Sequence, residues 1–129
     1  MGTRSLTFVY DGDEPILNLY GQYDGYPEGH GRELALFLNS IAAVTNGITV
    51  GEQRRTANGM GCLAAQLVAE FKQEVGNFYI HSVKDTNCDQ DYVYHVYESR
   101  VVVKNYSGHV LFDGAWNKFA EFCSEEEVA

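Results

Sequence analysis

The feature that most constrains the fold of this chain is an apolar face that repeats between residues 60 and 75. Its members recur every three or four positions, which is the spacing of one face of an α-helix. They are Met60, Leu63, Ala64, Leu67, Val68, Phe71 and Val75. Asn58 is suited to cap the start of this helix, and Gly76 with Asn77 is suited to end it. Such a face must be buried against a second layer, so the rest of the chain has to supply one.

Short β-type runs provide that layer. Residues 5–10 and 16–23 alternate between apolar and polar positions, and the turn-forming residues 11–15 between them predict a β-hairpin. Four more runs follow the helix, at 78–83, 92–98, 100–106 and 109–112. Because short connections join them, we expect these four strands to be antiparallel neighbours.

Two shorter helices complete the pattern. The first begins near Arg32, and residues 46–47 suit its exit. Its apolar stripe consists of Leu34, Phe37, Leu38 and Ile41. The last helix is marked by Trp116, Phe119 and Ala120, with Asp113 as a candidate cap. Residues 48–57 carry no clear pattern.

The order of these elements predicts the fold class. We expect a single α+β domain over residues 1–129, with a mostly antiparallel sheet of about five to six strands and two to three helices packed on one face. A chain of 129 residues has the size of one common domain and leaves no room for two independent cores. Residues 124–129 form an acidic tail that we expect to fray.

Charge and cysteine content limit the classes of function. The formal net charge of −9 disfavours nucleic acid and anionic membrane surfaces, which attract clustered Lys and Arg. No stretch reaches the ~18–20 apolar residues of a membrane span, and the first residues lack the apolar core of a signal peptide. Three widely spaced cysteines, Cys62, Cys88 and Cys123, argue against a disulfide framework. We therefore expect reduced thiols and a cytoplasmic protein.

The segment 24–31 is the first candidate site. It reads Asp-Gly-Tyr-Pro-Glu-Gly-His-Gly and leads directly into a predicted helix, so we expect a loop that presents backbone N–H groups to an anion. Asp24 and His30 are a candidate acid and base, and Tyr20 and Tyr26 are candidates to stack on a ring. The alternative is that the glycines and Asp24 only meet the backbone demands of a turn.

A second glycine-containing segment precedes the long helix. Residues 54–62 include Arg55, Asn58 and Cys62, and the Cys62 thiol would lie in the first helical turn, where the helix dipole lowers a thiol pKa. A cysteine within an apolar stripe is more often a small core residue. One hypothesis is that a small anionic, nucleotide-like ligand binds between the two segments, with Arg4 and Arg55 supplying positive charge; it requires that both segments face one cleft, which the sequence leaves open.

Metal binding and the tyrosines offer weaker signals. The four histidines are too far apart in sequence for a zinc motif, so we expect neither a metal nor a cofactor. Nine tyrosines are many for this length, and several fall on predicted strands, where Tyr92 and Tyr94 share one face and Tyr97 lies on the other. They either form cross-strand pairs that stabilise the sheet or present a protein-binding surface.

Three motifs together resemble a protein family. They are the N-terminal Met-Gly-Thr-Arg-Ser-Leu-Thr, the Asp24–Gly31 motif, and Asn-Gly-Met-Gly-Cys-Leu-Ala-Ala-Gln-Leu from Asn58. With these motifs the chain resembles a family of small proteins of phages, prophages and scattered microbes. The resemblance implies no specific activity. It implies that the motifs belong to one unit and that the protein acts in the setting of a mobile genetic element.

Two functions remain open on the sequence. The first is a non-enzymatic accessory binding protein of phage type, which acts on a host protein complex such as a defence system or sequesters a small anionic ligand. The alternative is a small enzyme that acts on a nucleotide-like substrate with Asp24, His30 and Cys62. Neither reading fixes the oligomeric state.

The charge generates a first prediction. Because the chain carries −9 and its single adjacent basic pair is Arg54 and Arg55, we expect no measurable binding to duplex DNA at physiological salt. A gel-shift titration checks this, and a micromolar, salt-sensitive shift would contradict it.

Overall fold

The computed structural model describes residues 2–47 and 56–128, with side chains up to Ser124. It contains three α-helices in these ranges: α1 (Arg32–Ser40), α2 (Gly59–Phe71) and α3 (Trp116–Val128). The strands are β1 (Ser5–Asp11), β2 (Glu14–Gly21), β3 (Ala43–Thr45), β4 (Thr56–Asn58), β5 (Phe78–His81), β6 (Tyr92–Val96), β7 (Arg100–Asn105) and β8 (Val110–Ala115). The α+β class expected from the sequence is confirmed.

Six strands form the main sheet, in the order β5-β2-β1-β6-β7-β8. Every neighbouring pair is antiparallel except β1 and β6, which run parallel. The short strands β3 and β4 pair in parallel as a separate two-stranded sheet. The prediction of a mostly antiparallel sheet of five to six strands is therefore confirmed for the main sheet.

The two faces of the main sheet have different partners. On the helix face, the apolar side chains of β1, β2, β6 and β7 join one core with the buried residues of all three helices. The strand contributions to this core are Val9, Leu17, Leu19, Tyr94, Val96, Val101 and Val103. Cross-strand register places Leu6, Phe8, Tyr20, His95 and Val102 on the opposite side, here termed the outer face. The expected packing of the helices on one face is thus confirmed.

The connection between β5 and β6 is a crossover, so these two strands are not the antiparallel neighbours that the sequence predicts. Since β5 pairs with β2, and β6 pairs with the far side of β1, residues 82–91 must pass over β2 and β1. Asn18 on β2 fixes this segment, because its Nδ2 donates to the carbonyls of Ser82 and Asp85 at 3.0 Å each. The crossover therefore covers the centre of the outer face.

Both predicted helices of the first half end earlier than their apolar patterns suggest. Ile41 adopts an extended conformation after α1, so residues 43–45 become β3 and not a last helical turn. After α2, the Lys72 amine donates to the carbonyls of Gly76 and Phe78, and the chain turns back to pair β5 with β2. Val75 is consequently exposed and lies outside the apolar face to which it was assigned.

Two local expectations also need correction. Residues 27–31 form one π-helical turn that continues into α1, whereas the sequence predicts a loop over 24–31. Asp113 does not cap α3, because it lies within β8 and its carboxylate accepts two hydrogen bonds from the Arg100 guanidinium. The backbone of α3 runs through Val128, into the segment for which fraying is predicted.

The core assignment generates a stability prediction with a matched control. Leu67 on α2 is 0% exposed, whereas Leu36 on α1 is 68% exposed. Leu67→Ala should lower the free energy of unfolding by about 2–5 kcal/mol, because it leaves a cavity in the core. Leu36→Ala should change it by no more than about 0.5 kcal/mol. Urea unfolding of both variants tests the assignment, and equal losses would contradict it.

Candidate interaction surface

His30, the predicted acid or base of segment 24–31, lies in the core. Its side chain is 3% exposed, and its Nε2 lies 2.7 Å from the Thr7 hydroxyl. The rings of Phe71, Phe78 and Tyr94 surround it at centroid distances of 5.1 to 5.6 Å. Burial lowers the pKa of His30 to about 4, so the imidazole is neutral at physiological pH. It is placed to support the fold and not to meet a ligand in solvent.

The glycines next to His30 permit close packing. A Cβ atom on Gly25 would come within 2.8 Å of the Ser5 Cβ, and one on Gly31 within 3.1 Å of the Cys123 sulfur. The Tyr94 hydroxyl donates to the Gly25 carbonyl at 2.7 Å, which ties the segment to β6. The glycine pattern therefore has a structural cause in the contact of this segment with the sheet and with α3.

The other residues predicted for the first segment lie around it at the surface. Asp24 is exposed at a positive φ of 59°, and Tyr26 is half-buried with its hydroxyl 3.4 Å from the Asp24 carboxylate. The nearby carboxylate of Asp24 raises the pKa of the Tyr26 phenol. Arg4 is half-buried, and its backbone pairs with Asp91 at the end of the crossover. Tyr20 lies elsewhere, on the outer face.

The second segment lies at the other end of the helical layer. Phe71, the last residue of α2, contacts His30, whereas Asn58 and Cys62 flank the first turn of the same helix. From Gly59 to Phe71, α2 rises about 18 Å at 1.5 Å per residue. His30 therefore lies beside the last residue of α2, whereas Asn58 and Cys62 lie at its start. Arg55 lies outside the described residues.

The three cysteines all lie within the described residues, and none of them forms a disulfide. Cys123 is buried beside Gly31, and Cys62 is half-buried against the core. The Cys88 sulfur lies 3.4 Å from Nδ1 of His81, the last residue of β5, where the crossover leaves the sheet. Burial and the neighbouring Asp85 and Asp89 raise the pKa of the Cys88 thiol, which disfavours the reactive thiolate.

On the outer face, four aromatic side chains pack on one side of the crossover. Tyr10 stacks on Tyr97 at 4.4 Å, and Phe8 stacks on His95 at 5.7 Å. The Tyr10 hydroxyl lies 2.6 Å from His95 Nδ1, which joins the two stacks. The guanidinium of Arg100 lies 5.3 Å from the Tyr97 ring centroid. We call Phe8, Tyr10, His95 and Tyr97 the aromatic cluster.

Tyr10 and His95 of the aromatic cluster are both neutral at physiological pH. Burial, with a contribution from the neighbouring Tyr97, raises the pKa of Tyr10 to about 12. Burial and the positive charge of Lys104 lower the pKa of His95 to about 4. The pair is thus a phenol and a neutral imidazole, an arrangement that favours contact with apolar or aromatic groups.

A second aromatic group lies on the other side of the crossover. Tyr20 stacks on His81 at 4.7 Å and contacts Tyr79 at 6.4 Å, which places three rings at the β2–β5 edge of the outer face. Tyr79 is 44% exposed, and the Lys72 amine lies 5.1 Å from its ring centroid. This edge therefore presents aromatic area directly to solvent.

A cleft of about 260 Å³ opens between the crossover and the aromatic cluster. Its sheet side is formed by Phe8, Val93 and His95, and its hairpin side by Tyr10 and Pro15. Val83 and Thr86 of the crossover close the third side. We call this the outer cleft.

Across 2–47 and 56–128, no three His, Cys, Asp or Glu side chains converge to hold a metal ion. Among the helices in the same ranges, none combines the length and apolar character of a transmembrane helix.

Neither the scan of protein-family models nor the comparisons with curated proteins and with solved structures finds a match to this chain.

The sequence does not predict the outer cleft. Alternation within residues 5–10 places Phe8 and Tyr10 on one face of a strand, and His95 is recognisable as a face residue. What brings them together is the parallel register of β1 with β6, which pairs Phe8 with His95. No local pattern signals a pairing between strands so far apart in sequence.

The buried His30 generates a prediction for pH dependence. Its pKa is lowered to about 4 in the folded chain, from about 6.5 when unfolded. Its stabilising contribution is therefore complete above pH 6.5 and decreases as the pH falls toward 4, since only the unfolded state then takes up the proton. Between about pH 7.5 and about pH 5, this should remove on the order of 2 kcal/mol from the free energy of unfolding.

Urea unfolding of the wild type and of His30→Gln at both pH values measures this effect. The variant should be less stable at the higher pH but should lose less stability on acidification. Both proteins retain His95, so its contribution to the pH dependence of the free energy of unfolding is the same in both. Parallel losses in the two proteins would contradict the assignment to His30.

Proposed function

We propose that this chain is a non-enzymatic binding protein that acts through a protein partner, and that the outer face of its sheet is the interaction surface. The observation that carries this proposal is the exposure of its tyrosines. All nine lie within the described residues, and Tyr94 alone among them is buried. Tyrosines that served only to fill the core would lose their accessible surface on folding.

Tyrosine is suited to such a role. It offers a large contact area and a hydrogen-bonding hydroxyl at a low cost in side-chain entropy. Tyr20 and Tyr79 contact each other at the β2–β5 edge of the outer face, and Tyr10 stacks on Tyr97 in the aromatic cluster. All three helices pack against the opposite face of the sheet. The outer face thus keeps aromatic area available to a partner.

The charge of the chain favours a basic partner. With −9 at neutral pH, the protein repels other acidic surfaces and accelerates encounter with positively charged ones. Association of this kind weakens as salt rises, because exposed charges are screened. A nucleic-acid-binding protein is one class of partner with a suitable surface.

The motif resemblance adds a biological setting to the proposal. If the chain is of phage type, its partner is a host protein complex, such as a defence system, in the host cytoplasm. An accessory protein of this kind needs a binding surface and no catalytic group. This setting rests on the three motifs alone.

The two other functions draw less support from the geometry. Sequestration of a small anion between the glycine-rich segments would require them to share a cleft, but His30 contacts the last residue of α2, whereas Asn58 and Cys62 lie at its start. The enzyme alternative would require Asp24, His30 and Cys62 to act together, but His30 is buried and Cys62 belongs to the distant segment. A protein-binding function makes neither demand.

The test is a pull-down from the native host with matched tyrosine variants. We expect wild-type protein to enrich a partner, and Tyr79→Ala and Tyr97→Ala to lose about tenfold or more of it, as is typical of aromatic contacts at the centre of an interface. Tyr106→Ala is the control, because Tyr106 is 79% exposed but lies in the turn between β7 and β8.

Quantitative mass spectrometry of the captured proteins gives the readout, and native mass spectrometry of the purified chain detects a small molecule carried through purification. Equal recovery with all three variants would place the interface elsewhere. A carried-over small molecule with no enriched protein would favour sequestration instead.

A further inference from the structure

The outer cleft has the size and chemistry of a site for one side chain. Its volume of about 260 Å³ lies below the ~300–1,000 Å³ typical of pockets for drug-sized ligands. Its lining is mainly apolar, and its polar groups are the Tyr10–His95 pair and the Thr86 hydroxyl. Interfaces often derive much of their affinity from one large side chain inserted into such a desolvated pocket.

The two sides of the cleft differ in charge. On the hairpin side, Tyr10 pairs with Pro15, and the next pair along the strands is Asp11 with Glu14. Asp13 adds a third carboxylate in the turn, and the sequence holds no Lys or Arg between Arg4 and Arg32. On the opposite side, Lys104 of β7 lies next to His95 and contributes positive charge. The field across the cleft therefore orients a charged partner.

We propose that the outer cleft receives an aromatic or large aliphatic side chain from a partner protein segment in which Lys or Arg adjoins that anchor residue. The anchor fills the apolar space between the crossover and the aromatic cluster, and the basic residue faces Asp11 and Glu14. This inference rests on the proposed function and names the chemistry of the partner. Charge complementarity at the hairpin side favours a basic segment, and the uncharged lining favours an apolar anchor.

NMR titration of the full ¹⁵N-labelled chain tests the proposal with three synthetic peptides. The probe is acetyl-Gly-Lys-Arg-Phe-Lys-Gly-amide. One control peptide has Ala in place of Phe, and the other has Glu in place of Lys and Arg. We expect the probe to shift the amide signals of Val83, Val93 and His95, and both control peptides to bind about tenfold more weakly or worse.

Protein variants separate the anchor from the charge. Thr86→Phe places a ring at the crossover side of the cleft and should weaken probe binding about tenfold. Asn87→Phe is the control, because Asn87 is exposed next to Thr86 but does not line the cleft. Asp11→Asn combined with Glu14→Gln should weaken the probe and remove much of its salt dependence, whereas Glu33→Gln on α1 should do neither.

Several outcomes would overturn the proposal. They are the absence of shifts at the cleft, equal binding of the Ala peptide, and unchanged binding by Thr86→Phe. The proposal would also fail if p-cresol shifted the signals of the same amides and the probe peptide did not, because that result would indicate a small-molecule site. Failure here is distinguishable from failure of the proposed function. If Tyr79→Ala and Tyr97→Ala still lose the partner in the pull-down, the outer face binds protein without the cleft.

Discussion

The parallel pairing of β1 with β6 determines how both faces of the sheet are used. Antiparallel neighbours need only a tight turn, whereas a parallel pair needs a connection that crosses the sheet. In this chain the residues between β5 and β6 make that crossing on the outer face, since the helices pack on the opposite face. The same pairing brings Phe8 next to His95, and these residues form part of the sheet side of the outer cleft.

The crossover has to be fastened, because it is an irregular segment with backbone groups to satisfy. Asn18 serves this purpose from a fully buried position, with its amide donating to two carbonyls of the crossover. At the far end, the backbone N–H of Asp91 donates to the Arg4 carbonyl, which leads the chain into β6. The outer cleft therefore lies between elements that are fixed by hydrogen bonds at both ends of the crossing.

The helix face depends on a second set of polar contacts around His30. The imidazole bonds to Thr7, and Tyr94 bonds to the Gly25 carbonyl, so β1, β6 and the start of the helical layer are held together. A buried polar group is costly unless it is paired, which makes these contacts specific for one arrangement of the segment. The residues that look most like a catalytic loop in the sequence thus define how α1 docks on the sheet.

The sequence was sufficient for the three helices and the six strands of the main sheet, and insufficient for β3, β4 and the long-range pairing of the strands. The apolar face of α2 and the alternation in β1 are local signals, and both gave the correct element. The sequence predicts that α1 and α2 end later than they do, because Ile41 and Val75 continue the apolar spacing after the backbone has left the helix. The β1–β6 pairing links strands more than 80 residues apart, a tertiary contact that no local pattern encodes.

Because local patterns do not encode the long-range pairing of strands, the candidate site in the structure differs from the one that the sequence predicts. Glycine-rich segments are candidate ligand sites because glycine permits backbone conformations and close approaches that other residues do not. Close packing within the fold requires the same properties, as the contacts of Gly25 and Gly31 show. The outer cleft, by contrast, is built from ordinary strand residues such as Phe8, Val93 and His95. In the interaction that we propose, the charge of the acidic hairpin governs the encounter with the partner, and the uncharged cleft beside it governs which anchor residue is retained. A small acidic chain can in this way discriminate among basic partners that its net charge alone would attract equally.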